Sequence, residues 1–449
     1  MKHLTYLSLL SLFLISCQNT PQKSENLISD FGDQPSIAKN TDGEIALVFG
    51  NESFIYYSTS KNQGASFSEP SLVASLDGLV LGYSSGPGIA ITSSSTVVTA
   101  PDESGNLYAW SRPVNSHDKW YGPVQINDID ASVGEFLSDI TSTPDGQLYC
   151  VWIDTRFLES DNADRHSDAA NKSHTIESTP QIEENLSEMT PIGITKGELY
   201  NKIGDVPKNA HLAFHDDNEG NLYWVFFDKN KNVLKAENYG EYAKFRERNG
   251  DRVKTKGKIY LSSSLDGGKT WSKSKLIYRS PDGSVCECCK PSIISDSDGN
   301  LTVMFRNNIN GARDLHFTRS TDKGDSFSVP EKLGSGTWKI NGCPMDGGGL
   351  TIDNNGELNT IWKRKGEIFL SSSSSSEEKI GPGRFPAISA NDEHTYIVFS
   401  NADAITTIDS DNNTKTKIGT GSFPKVMALK KGAIYFWVNN KGINYRKIL

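Results

Sequence analysis

One short pattern recurs along the chain and limits the folds open to it more than any other feature. Each copy is a turn of Asp, Asn and Gly followed by a strand rich in Tyr, Trp, Phe and Val, with further strands after it. The copies start near residues 41, 144, 297, 354 and 430. No long segment has helical periodicity. The repeat therefore predicts an all-β chain built from four-stranded units in a ring.

A second motif, Ser-x-Asp-x-Gly-x-x-aromatic, lies in the hairpin between the third and fourth strands. It occurs at Ser264 to Trp271 and Ser320 to Phe327, and with Asn in place of Asp at Ser60 to Phe67. Ser and Asp side chains can bond turn backbone, and Gly supplies a positive φ. These residues resemble the Asp boxes of sialidases. The resemblance implies a sialidase-like β-propeller with the boxes at its outer rim, where we expect them to be structural.

The number of blades is open at this stage between six and seven four-stranded blades. Sialidase propellers have six, whereas this chain has seven candidate blade starts, near Pro35, Pro87, Leu137, Pro291, Met345, Phe385 and Phe423. The last blade runs out after three strands, and the segment from Leu27 to Phe31 could supply the fourth. The third blade carries one long insertion, 157–257, whose polar part at 158–190 we expect to be mobile.

The N-terminus predicts export and lipid anchoring. Lys2 precedes an apolar run from Leu4 to Ile15 that is too short to span a bilayer, and Ser16-Cys17 completes a lipobox. We expect residues 1–16 to be a signal peptide, Cys17 to be lipidated, 17–30 to form a tether with a possible ring-closing strand, and 31–449 to form the propeller. The expected location is the bacterial cell envelope, on the outer membrane.

The net charge of −9 argues against a nucleic-acid partner, which would require a basic surface. The expected partners are the membrane, through the lipid, and a glycan or small ligand.

Sialidase chemistry requires three arginines that grip the substrate carboxylate, an acid, and a tyrosine nucleophile. In the family that the Asp boxes resemble, the first arginine lies on the innermost strand of the first blade, but no arginine precedes Arg112 here. Candidate binding residues at later strand ends are Arg156, Arg306, Arg313 and Arg384. Each is also compatible with a rim salt bridge, and Tyr149 and Tyr260 with blade packing.

The cysteines give the most specific motif. Cys286-Glu287-Cys288-Cys289-Lys290-Pro291 opens one blade, and Gly342-Cys343-Pro344-Met345 opens the next. The pair resembles a group of bacterial sialidase-like, BNR-repeat proteins, and the resemblance implies an exported propeller rather than a reaction. In a propeller the blade starts meet near the axis, so Cys286, Cys288, Cys289 and Cys343 should converge. Disulfides and a Cu(I) or Zn²⁺ site both remain open.

Two further predictions concern other potential ligands. Cys150 lies within a blade strand and should be a buried free thiol. A hairpin in the insertion carries His211, His215, Asp216 and Asp217, which could ligate a metal or could be ordinary surface residues.

Three functions are compatible with these features. The first is a binding propeller with a ligand or metal at the cysteine-bearing face and no sialidase triad. The second is a glycoside hydrolase, an exo-α-sialidase with a displaced arginine set. The third is a structural or docking role, because propeller faces also bind proteins.

Overall fold

The structure is a computed structural model of the 449-residue chain. It describes residues 26–40, 43–82, 84–114, 116, 119–156, 257–282, 284–340, 342, 344–353, 355–373, 376–409 and 414–449, and the backbone of three strands within 211–238.

The described residues form seven four-stranded antiparallel sheets, which are the blades of a β-propeller. Blade 1 contains β2 (Asp33–Lys39), β3 (Ile45–Asn51), β4 (Phe54–Ser60) and β5 (Ser71–Ser75). Blade 2 contains β6 (Gly88–Ile91), β7 (Ser95–Pro101), β8 (Leu107–Pro113) and β9 (Tyr121–Gln125). Blade 3 contains β10 (Val133–Ser142), β11 (Leu148–Asp154), β15 (Lys258–Ser264) and β16 (Lys275–Tyr278).

The remaining blades have the same order. Blade 4 contains β17 (Ser292–Ser295), β18 (Leu301–Arg306), β19 (Leu315–Ser320) and β20 (Glu331–Lys332). Blade 5 contains β21 (Gly349–Ile352), β22 (Leu358–Arg364), β23 (Glu367–Ser372) and β24 (Glu378–Pro382). Blade 6 contains β25 (Arg384–Ala390), β26 (Thr395–Asn401), β27 (Ala404–Asp409) and β28 (Thr414–Thr420). Blade 7 contains β29 (Ser422–Ala428), β30 (Ala433–Asn439), β31 (Gly442–Ile448) and β1 (Asn26–Ser29).

The first strand of each blade lines the centre of the ring. These strands contact one another in cyclic order, from β2 through β6, β10, β17, β21 and β25 to β29 and back to β2. The ring closes through β1, which pairs with β31 in the register Asn26 to Tyr445. The sequence prediction of an all-β propeller is confirmed, and the open choice between six and seven blades resolves to seven.

The core lies between neighbouring blades. The second strand of each blade is covered on both faces, which explains continuous apolar runs such as Ile45-Ala46-Leu47-Val48-Phe49, all buried. In one cluster, Val151 of blade 3 packs with Val303 of blade 4. The apolar runs therefore bind each blade to the next rather than filling a single central core.

The Asp boxes close the outer hairpins, as expected. In blade 3, Ser264 Oγ donates to Asp266 Oδ1 over 2.9 Å, and the Thr270 amide donates to the same carboxylate over 2.9 Å. The Gly268 amide donates to Ser264 Oγ over 2.9 Å. The box aromatic, Trp271, packs on the core between blades 2 and 3. The first box keeps this geometry with Asn62, whose Oδ1 accepts from Ser60 Oγ over 2.8 Å.

The insertion leaves and re-enters blade 3 at neighbouring positions, because Asp154 and Lys258 are paired across β11 and β15. Within it, β12 (His211–Asp216), β13 (Leu222–Phe227) and β14 (Val233–Asn238) form a three-stranded antiparallel sheet. The expected hairpin is therefore present in the backbone. Residues 157–210, including the segment expected to be mobile, and Asp217 lie outside the described residues, as do the side chains of His211, His215 and Asp216.

No helix within the described ranges is long and apolar enough to cross a bilayer. Cys17 and the predicted signal peptide lie outside those ranges, so lipid anchoring stays a prediction.

Candidate functional site

The cysteine motif forms a tight turn that leads into β17. The Cys289 amide donates to the Cys286 carbonyl over 3.4 Å, which folds the four residues back on themselves. This turn brings the three sulfur atoms within 4.8 Å of one another. A regular strand would have directed Cys288 and Cys289 to opposite sides. The convergence therefore comes from the turn and not from a strand.

The three cysteines differ in oxidation state. Cys286 and Cys289 are buried free thiols, and Cys286 Sγ donates to Cys289 Sγ over 3.7 Å. Cys288 is disulfide-bonded, and its Sγ lies 3.7 Å from that of Cys286. Cys343 lies outside the described residues, so its predicted place in the cluster stays a prediction. Cys150 is a buried free thiol in β11, which confirms that prediction.

The two free thiols, Cys286 and Cys289, differ in pKa. The hydrogen bond that Cys286 donates to Cys289, together with burial, raises the pKa of the Cys286 thiol. Burial also acts to raise the pKa of Cys289, but the hydrogen bond from Cys286, the positive charge of Arg306 and the Asp346 backbone outweigh it and lower that pKa to about 6. Cys289 is therefore the thiol that ionises first.

Arg306, at the end of β18, is fully buried at 1 % exposure. Its guanidinium donates to three backbone carbonyls, those of Arg313 over 2.6 Å, Asp346 over 2.9 Å and Lys363 over 3.1 Å. Among the described residues, no carboxylate lies within ion-pair distance of it. Arg306 therefore braces blades 4 and 5, and its charge acts on the two thiols.

Asp346 lies in the segment that leads into β21 and packs beside the cysteine turn. Its carboxylate accepts from the amide of Gly348 over 3.2 Å and from the amide of Phe385 in blade 6 over 3.2 Å. Asp346 is buried and is one of the groups that influence Cys289. Since Arg306 of blade 4 donates to the backbone carbonyl of Asp346, blades 4, 5 and 6 meet at this one residue.

Charged side chains from opposite sides of the ring face a shared central space. Lys290 forms an ion pair with Asp139 of blade 3 over 3.1 Å. Burial by surrounding protein and the nearby Lys290 lower the pKa of Lys425, in blade 7, to about 8, with Asp139 and Asp346 opposing them. Because Lys425 is on blade 7 and the charges that act on it are on blades 3, 4 and 5, these interactions cross the axis of the ring. Arg306 and Arg313 adjoin this group at the cysteine turn that precedes Lys290, where their charges act on Cys286. We call these two arginines together with Asp139, Lys290, Asp346 and Lys425 the central cluster.

The four arginines predicted from sequence have different surroundings. Arg156 is a structural ion-pair residue: it reaches Asp128 over 2.9 Å and Asp154 over 2.8 Å, and it stacks over Tyr260 at 4.2 Å. Arg306 is bound to carbonyls as described. Arg384 stacks on Phe385 at 5.3 Å.

Arg313 is the one of the four whose guanidinium has a buried unsatisfied atom, Nε. Its charge acts on the thiol of Cys286, which places it beside the cysteine turn. Arg313 is therefore the predicted arginine with hydrogen-bonding capacity to spare.

Both candidate tyrosines are packing residues. Tyr149 donates to Gln147 Oε1 over 2.7 Å, and burial raises its pKa to about 12. Burial also raises the pKa of Tyr260, which lies under Arg156. Neither phenol is prepared for ionisation.

Several residues of the site were not predicted from the sequence, although one further repeat could have indicated them. Gly-x-x-Pro occurs at residues 32–35, 383–386 and 421–424, where each inner strand begins with a bulge. The third residue of each copy, Gln34, Phe385 or Phe423, has a φ of 52° or 53°. Bulges redirect side chains next to sites. The repeat therefore indicates Asp33, which lies within the first copy, and Lys425, which directly follows the last. Burial raises the pKa of the Asp33 carboxyl.

No known family profile matches the chain, and no curated protein matches it. Solved structures do match. The K499G mutant of NanB sialidase from Streptococcus pneumoniae is 10 % identical, with 90 % of this chain and 83 % of that chain covered and a TM-score of 0.42. The BP39L lectin from Burkholderia pseudomallei is 12 % identical, with coverage of 87 % and 99 % and a TM-score of 0.40. The α-L-arabinanase of Penicillium chrysogenum is 8 % identical, with coverage of 95 % and 98 % and a TM-score of 0.43. These similarities concern the fold alone.

Proposed function

We propose that the chain is a lipid-anchored, exported binding propeller that holds a small anionic ligand at the central cluster and does not hydrolyse sialosides. The observation that carries this proposal is the charge balance of the cluster. It contains four cationic side chains and two carboxylates, and the charges of Lys290, Asp139 and Asp346, from three other blades, act on Lys425. A surplus of positive charge in a partly dehydrated space favours an anion.

The contacts that the arginines already make favour binding without sialidase catalysis. A sialidase needs guanidinium groups that are free to grip a carboxylate bidentately. Arg156 already pairs with two aspartates, and Arg306 already serves three carbonyls. Arg313 and Lys425 remain as the groups that can meet a ligand.

A binding experiment tests this proposal. Full-length protein in detergent is titrated calorimetrically with sialic acid, and with its methyl ester as the uncharged control. We expect the acid to bind and the ester to bind at least tenfold more weakly, because the cluster recognises the negative charge. Lys425→Met should weaken binding of the acid about tenfold, whereas Lys441→Met, at an exposed turn of the same blade, should leave it unchanged. Equal binding of acid and ester would contradict the proposal.

Glycoside hydrolysis is the second candidate, and one observation favours it. The carboxyl of Asp33 lies at the start of an inner strand, and burial raises its pKa, as a general acid requires. A fluorogenic α-sialoside separates the two functions. We expect no turnover, whereas hydrolysis that disappears in Asp33→Asn would establish the enzyme.

The location follows from the N-terminus. We propose that the lipid on Cys17 holds the propeller at the outer membrane, where it can meet an extracytoplasmic ligand. No role with nucleic acid is proposed, because the chain is acidic overall.

A further inference from the structure

The cysteine turn offers two buried sulfur ligands that the proposed anion site does not use. Cys286 and Cys289 are each 1 % exposed, and their sulfurs are 3.7 Å apart. If a metal ion lay about 2.3 Å from each sulfur, the angle at the metal between the two sulfurs would be about 107°. This angle leaves room for another ligand. Cys288 Sγ is 3.7 Å from Cys286 Sγ and within 4.8 Å of Cys289 Sγ, so the three sulfurs are close enough to share one ion.

We propose that Cys286 and Cys289 bind one Cu(I) ion as thiolates, and that reduction of the Cys288 disulfide adds a third thiolate to the same ion. The sulfur ligands are not members of the central cluster, and the copper proposal does not depend on anion binding; Arg306 is the one residue whose charge both proposals use.

The choice of ion follows from the ligand set. Thiolates are soft ligands that select Cu(I), whereas structural Zn²⁺ almost always has four N or S ligands. Within the described ranges, the three cysteines are the one group of three His, Cys, Asp or Glu side chains close enough to share an ion. In the disulfide form only two of them are thiols. Cu(I) is the ion that accepts so few ligands.

The charge of the surroundings fits the same ion. A Cu(I) ion with two thiolates carries one net negative charge. Arg306 supplies a buried positive charge beside it and has no carboxylate partner among the described residues. Divalent metal with the same two thiolates would be neutral and would leave the charge of Arg306 unbalanced.

The proton and electron balance of both steps is simple. Binding of Cu(I) replaces the protons of the two thiols, which pass to solvent. An external dithiol then transfers two electrons and two protons to the disulfide of Cys288. This leaves Cys288 and its partner as thiols and the reductant as a disulfide, and ionised Cys288 can join the metal.

Copper binding is tested by competition on the full-length protein. The protein, with its disulfide intact and under anaerobic conditions, is titrated against a Cu(I)-chelator complex. We expect one Cu(I) per chain. Cys286→Ser and Cys289→Ser should each weaken binding at least 100-fold. Cys150→Ser, a buried free thiol of β11, is the matched control and should bind as the natural chain does. No transfer of copper to the natural chain, or equal binding by Cys289→Ser, would overturn the proposal.

X-ray absorption on the natural chain gives a second measurement that does not depend on whether a variant folds. Two sulfur ligands are expected around copper in the disulfide form, and three after reduction with a dithiol. Copper without sulfur ligands would overturn the site, and an unchanged count of two after complete reduction would overturn the role of Cys288. A parallel titration with Zn²⁺ should show weaker binding than Cu(I); tighter Zn²⁺ binding would overturn the choice of ion.

Discussion

The Arg306 guanidinium donates to the backbone carbonyl of Asp346 over 2.9 Å, and this contact joins blade 4 to the segment that leads into blade 5. The same guanidinium reaches the carbonyls of Arg313 and Lys363. One buried cation thereby satisfies three carbonyl groups, two of them outside any strand and the third, that of Lys363, within β22. The cluster that carries the proposed ligand sites is built on this side chain.

Arg306→Met is expected to destabilise the fold strongly. Methionine fills similar space but leaves three carbonyls, two of them in buried hydrogen bonds, without their donor, at a cost of about 1 kcal/mol or more for each. We expect the free energy of unfolding in urea to fall by about 3 kcal/mol or more. Arg319→Met, at an exposed position of β19, should change it by less than about 0.5 kcal/mol. Similar small effects of both substitutions would show that Arg306 is not a brace.

Asp266→Ala tests the structural role of the Asp box. Its carboxylate accepts from Ser264 and Thr270, so the substitution should lower stability by about 1 to 3 kcal/mol and leave ligand binding intact. Asp325→Ala is the control, because this side chain is 90 % exposed. An unchanged melting temperature combined with lost ligand binding would show that the box belongs to the ligand site and not to the scaffold.

Asp322→Asn tests the pH dependence of the box in blade 4. Hydrogen bonds from Ser326 and Ser320 lower the pKa of Asp322 to about 2. A lowered folded pKa gives stability that is present above about pH 4 and is lost as the pH falls towards 2. Asn62 shows that an amide fits this position, so Asp322→Asn should fold. We expect the stability difference between the two proteins to shrink from pH 5 to pH 2; a difference constant over that range would contradict the assignment.

The propeller architecture could be predicted from the repeat in the sequence, but the full geometry of the site could not. The Asp boxes and apolar strands depend on local hydrogen bonds and on burial by neighbouring blades, so Asp266 and Trp271 could be assigned correctly from pattern. Arg306 could not, because two of its three partner carbonyls lie 40 and 57 residues away along the chain. Lys425 lies on the opposite side of the ring from Asp139, and only closure of the ring brings their charges together. The cysteines were predicted to converge through the meeting of blade starts, whereas Cys286, Cys288 and Cys289 are brought together by a local turn that the blade pattern does not specify.

Lipid anchoring has a direct test in Cys17→Ala. Cys17 is both the expected lipid acceptor and the residue after the expected cleavage point. We expect the substituted protein to stay as precursor or to be released in soluble form, and to incorporate no palmitate analogue. Cys150→Ala, which keeps the lipobox, should still be labelled. Equal labelling of the Cys17→Ala protein would contradict the lipoprotein assignment.

The anion affinity of the central cluster should depend on the charge of Lys425. Because burial and the nearby Lys290 lower the pKa of Lys425 to about 8, the ammonium is charged at pH 7 and loses its proton as the pH rises through 8. We therefore expect the affinity for sialic acid, which stays anionic over this range, to fall between pH 7 and pH 9. Lys425→Met should bind weakly at both pH values and show a flat profile, while Lys441→Met should keep the profile of the natural chain. A profile that still falls near pH 8 in Lys425→Met would assign the titration to another group, and calorimetry at three or four pH values is sufficient to decide.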